Sequence, residues 1–159
     1  MNNQSILEDE EIVYRRIRVE WARVNDDGRW VLTSQAFNDQ GWKPSVDRKI
    51  LRAAPADSQM EPTDGIAQLL TAEVRATTGL IHNPEKPLAD QVTYKLDVIA
   101  RPIPPNNPEG LAENLSHAQI ESDPTVASRS RFDRVKEALS RLAMNRDWVI
   151  PPSTPANTH

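Results

Sequence analysis

Three side chains in this sequence are of the types that carry chemistry, and they lie far apart along it. His117 stands in ENLSHAQIESDP, residues 113 to 124, among short polar residues and with no cysteine anywhere to accompany it. An imidazole exchanges protons near neutral pH, so His117 could act as general base or proton donor. Arg15 lies in IVYRRIRVEW among Val13, Ile17 and Val19. Its planar fork fits phosphate or carboxylate through two parallel bonds, an anion clamp if the side chain is free to serve. Ser34, in LTSQAF, offers a hydroxyl on the next β-prone run. Together the three would suit a small enzyme or toxin directed at a nucleotide, with His117 or Ser34 at the reacting centre.

Each has an ordinary reading as well. A half-buried histidine commonly makes a single hydrogen bond, and strand serines are frequent. An arginine on an apolar face must find a partner, because an unpaired buried charge costs several kcal/mol or more. Asp97, Glu73 or Asp47 could supply an internal pair, or Arg15 could snorkel at a sheet edge. His82, in a proline-flanked loop, and His159, in the tail, are weaker candidates. No metal is expected, since His82 and His117 would have to meet a carboxylate such as Asp97 from unrelated segments.

Val13-Tyr14-Arg15-Arg16 and Thr33-Ser34 resemble two short strand segments of the ADP-ribosyltransferase superfamily. The resemblance implies that Arg15 and Ser34 would help to hold NAD. The serine motif is incomplete here, and no glutamate stands in the catalytic place. Other motifs are missing too. The five glycines are scattered singly, so no phosphate loop exists, and neither HExxH nor GxSxG occurs. No residue pattern names a cofactor.

The elements that must position these groups follow from periodicity. At 159 residues the chain fits one domain. Residues 1 to 11, with the acidic knot EDEE at 8 to 11, read as a flexible arm, and 151 to 159 as a disordered tail. Between them, IVYRRIRVEW suits a strand. The turn NDDG and the run RWVLTSQAF then predict a hairpin pairing 12–24 with 30–37. Ser45 is placed to cap a short helix. GIAQLLTAEVRATTG predicts a second helix, with Ile66, Leu69, Leu70 and Val74 on one stripe and Gly79 as its stop. VTYKLDVIAR alternates with a period of two and is the clearest strand. NLSHAQIE predicts a short strand on which Ala118 and Ile120 face one way, Leu115 and His117 the other. SRSRFDRVKEALSRLA is the best helix, with Phe132, Val135, Leu139 and Leu142 inward and Ser130 with Asp133 as a capping box. Trp148 and Ile150 should fold back onto the core. The expected fold is α+β, one domain over 12–150, with a small antiparallel sheet and two or three helices including the amphipathic C-terminal one.

Charge and composition narrow the partners. The net charge is −4, which disfavours nucleic acid. The stretch 129–146 nevertheless carries six basic residues against Asp133 and Glu137, which keeps nucleic acid open. No apolar run approaches ~18 residues, and the start is acidic, so no membrane partner is expected. Absent cysteine fits a reducing compartment, hence a soluble cytoplasmic protein of bacterial type. Four tryptophans in a small chain, polar arms and missing catalytic motifs favour an accessory or binding protein that works through protein–protein contacts. The nucleotide- or NAD-directed enzyme is the alternative.

Overall fold

Residues Ile12–Ile17 form the strand (β1) around which a sheet is built in the computed structural model of the chain. The structure describes residues 6–81 and 83–154, so expectations placed on residues 1–5, His82 and 155–159 lie outside it. Strands β2 (Ala22–Val24) and β3 (Trp30–Leu32) make a separate two-stranded ribbon. The main sheet adds β4 (Ser45–Arg48), β5 (Gly65–Leu70), β6 (Lys95–Ala100) and β7 (His117–Asp123). Its order is β5-β1-β4-β7-β6, and every neighbouring pair is antiparallel. Two α-helices complete this α+β domain: a short one, α1 (Thr71–Arg75), and a long one, α2 (Arg129–Arg146).

Alternation along the strands divides the sheet into two faces. Val13 and Ile17 of β1, Val46 of β4, Leu69 of β5, Leu96 and Val98 of β6, and Ala118 and Ile120 of β7 are all buried in one core. Helix α2 closes that core with Phe132, Val135 and Leu139, the stripe expected from its spacing. Its cap is Ser128, whose Oγ accepts from the Arg131 N–H at 3.4 Å, rather than a box of Ser130 and Asp133. Beyond α2 the chain does fold back. Ile150 pairs with Ile66 on the outer edge of β5, and Trp148 Nε1 donates to the Trp30 carbonyl at 3.0 Å. That approach needs a glycine at 65, because a Cβ there would lie 2.7 Å from the Trp148 ring.

Four expectations need correction. The hairpin turns at NDDG, with Gly28 at φ 77°, but joins only β2 to β3; β1 belongs to the main sheet, between β5 and β4. Residues 65–70 form a strand rather than the start of a helix. β5 buries Ile66, Ala67 and Leu69 in succession, and such a run buried on both sides fits either period. Ser45 opens strand β4 and caps nothing. Neither the arm nor the tail hangs free over its described part, since Leu7, Glu11 and Pro152 are buried and the Ser153 N–H donates to the Thr63 carbonyl at 3.1 Å.

Candidate functional site

Tyr14, Asp47 and His117 lie in one row across β1, β4 and β7, on the face opposite the core. Tyr14 is the register partner of Asp47, and Asp47 is the register partner of His117. Two connections rise beside this row, one within residues 52–60 and one within 103–114, and between them is a cleft of about 570 Å³. That volume is in the range of ligand-binding clefts. The row forms because antiparallel partners place their side chains on the same face.

Asp47 ties both walls to the floor. Its Oδ2 accepts from Ser58 Oγ at 2.6 Å and Arg52 Nη2 at 2.9 Å, both from the first wall. Its Oδ1 accepts from Asn114 Nδ2 at 2.9 Å, from the second. Asn114 Oδ1 in turn accepts from Ser116 Oγ at 2.6 Å. Burial acts to raise the Asp47 pKa, but the bonds from Ser58, Asn114 and Arg52 outweigh it and hold the carboxyl below its ordinary value.

His117 is half-buried, as its place opposite Ala118 and Ile120 suggested. Its Nδ1 is 2.8 Å from the Arg101 carbonyl, which can only accept, so Nδ1 carries the proton of that bond. Nε2 is 3.2 Å from Ser45 Oγ and, in the neutral ring, accepts from that hydroxyl. Both ring nitrogens are therefore engaged within the protein.

Arg15 also lines the cleft, yet none of the carboxylates expected to pair with it does so. Nε donates to the Ala36 carbonyl at 3.1 Å, Nη1 to Ser45 at 2.9 Å and Nη2 to Asn38 at 2.9 Å. The guanidinium carbon sits 5.3 Å from the Trp21 ring centre and 5.6 Å from that of Phe37. Burial pushes its pKa down to about 10, with Asp39 acting against the shift and Arg16 adding to it. Arg15 thus staples the 36–45 connection to β1, through the fork that would otherwise grip an anion.

Ser34 is elsewhere. It is exposed on a turn just after β3 and borders a different depression, beside the first turns of α2. The structure therefore brings together Arg15 and His117 but leaves Ser34 apart from them. The pair Arg15–Ser34, on which the likeness to NAD-holding strands rested, shares no cleft among the described residues. The basic helix is partly answered by its surroundings. Lys136 meets Asp133 at 3.2 Å, Arg146 meets Glu73 at 2.9 Å, and Arg131 donates to the Ile81 carbonyl at 3.2 Å.

Sequence reasoning missed Tyr14, Ser45 and the Asp47 network as parts of one site. It also missed the rim, where Met60 and Leu111 are 76% and 55% exposed. Tyr14 is itself only 4% exposed, and its hydroxyl makes no hydrogen bond among the described residues. Desolvation raises its pKa above the ordinary phenol value, so the group remains a neutral donor and acceptor. Among the described residues no cluster of His, Asp and Glu is arranged to hold a metal ion. No helix is long and apolar enough to cross a membrane among them. The chain matches no known family model, no curated protein and no solved structure.

Proposed function

We propose that this is a small cytoplasmic binding protein that works through contact with another protein, receiving a segment of it in the cleft above Tyr14, Asp47 and His117. The observation that carries this reading is an apolar rim over a polar floor that is already bonded. Met60 and Leu111 border the cleft in the open, and Leu115, Ile50 and Leu51 are exposed in the neighbouring turns. Clustered exposed apolar side chains beside a concavity are a usual mark of an interaction site. The groups suited to chemistry, His117 and Arg15, are meanwhile spent on partners within the protein.

A second reading, a small enzyme acting on a nucleotide or NAD, draws support from Arg15 and His117 lining the same cleft. The engagement of Arg15 and the distance of Ser34 from the cleft weigh against it.

Photo-cross-linking in the source cells tests the choice, with the reactive group placed at Met60 or, as a control, at exposed Arg141. A discrete protein adduct is expected from position 60 alone, and lost when Leu111→Asp is added. Thermal shift with NAD, nucleotides and inorganic phosphate provides the opposing arm. A rise in Tm that disappears in Arg15→Lys, with no adduct from position 60, would overturn the binding reading in favour of the enzyme.

A further inference from the structure

Resting on that reading, we propose that the segment received by the cleft presents a lysine or arginine flanked by apolar residues. The charges around the cleft set this preference. Its three arginines are all engaged, Arg15 with backbone carbonyls, Arg16 with Asp64 at 3.2 Å and Arg52 with Asp47 at 2.9 Å. Of their nitrogens, Arg52 Nε alone is buried without a partner among the described residues. Asp57, whose Oδ2 accepts the Ala54 N–H at 3.0 Å, and Glu113 are exposed and form no ion pair among the described residues. They come from the two different connections that border the cleft, Asp57 from 52–60 and Glu113 from 103–114. An anionic ligand would meet both carboxylates and find every arginine already bonded to a carboxylate or to carbonyls. A cation meets complementary charge from two sides.

The remaining features fit a long cationic side chain better than a small amine. A lysine or arginine can lay its methylene stem along apolar surface and carry its charge to a polar end. Met60 and Leu111 supply the surface. At the floor, the Tyr14 hydroxyl, which makes no hydrogen bond among the described residues, offers an acceptor to the ammonium or guanidinium group. A flanking apolar residue of the segment would then complete the rim contact.

The test is selection of short random peptides displayed on phage against the full chain. Peptides retained by the wild type and lost on Leu111→Ser, which removes apolar surface without adding charge, define binding in the cleft. They are expected to carry Lys or Arg beside Leu, Ile, Val or Phe. Synthetic copies should bind about three- to tenfold more weakly to Asp57→Asn/Glu113→Gln, a double change at exposed positions, and more weakly in raised salt. Thermal melting of each variant confirms that the fold is kept. Cleft-dependent peptides without a basic residue, or equal binding to the double variant, would overturn the cationic preference and leave the binding reading standing. If no peptide depends on Leu111, both fall.

Discussion

Glu11 and Arg48 grip one another through two parallel bonds on the core side of the sheet. Arg48 Nε donates to Oε1 at 3.0 Å and Nη2 to Oε2 at 2.9 Å, with the side chains only 3% and 7% exposed for Arg48 and Glu11. Glu11 Oε2 also accepts the Glu8 N–H at 2.9 Å, so the acidic run is fastened to a central strand. Removing one member of such a pair leaves its partner charged and buried. Glu11→Ala should therefore destabilise the fold by about 3–5 kcal/mol. Urea denaturation measures this, and an unchanged midpoint would show that the pair contributes nothing net.

Arg15→Lys separates a staple from an anion clamp. A lysine keeps the charge but cannot reach three diverging carbonyls at Ala36, Asn38 and Ser45. The variant should lose about 2–4 kcal/mol of stability without any ligand present. A clamp would instead leave stability nearly unchanged and lose only anion binding.

Asp47 makes stability depend on acid. Its folded pKa lies below the ordinary 3.8, so its contribution is complete above that value and is lost as pH falls through the folded value. Asp47→Asn should cost about 1–3 kcal/mol near neutral pH, because the amide cannot accept from Ser58, Arg52 and Asn114 together. The gap between variant and wild type should narrow as pH drops below about 4. Urea midpoints measured across that range decide it. A constant gap would mean that the carboxylate charge has no part in holding the walls.

Leu139 is fully buried on the inner stripe of α2, and Arg141 is exposed on its outer side. Leu139→Ala should cost about 2–5 kcal/mol and Arg141→Ala almost nothing. Matching midpoints for the two would mean that this stripe is not the buried face.

Legibility in the sequence followed the locality of each interaction. β6, β7 and α2 overlap the segments whose periods predicted them, although β6 and β7 each begin three residues later than expected, at Lys95 and His117. The NDDG turn was readable because Gly28 must take a positive φ. Strand β5 was not, since burial on both faces erases the alternation that marks a strand. The inward aim of Arg15 was visible from Val13 and Ile17. Its acceptors were not, because a backbone carbonyl has no residue type to recognise. Asp47 joins Ser58 and Asn114, which lie 11 and 67 residues away, through register and loop paths that no local pattern encodes.

The strand order has a consequence for synthesis. β5, β1 and β4 are all translated within the first half of the chain and can pair with one another as they emerge. The free edge of β4 must wait for β7, and the face bearing Val13, Val46 and Leu69 must wait for α2. Even the outer edge of β5 stays open until Ile150 is made. At the pace of a ribosome, ~5–20 residues per second, this half-sheet spends several seconds with its apolar side uncovered. Until α2 is made, the apolar side of this half-sheet is therefore open to other chains as well as to its own remaining residues.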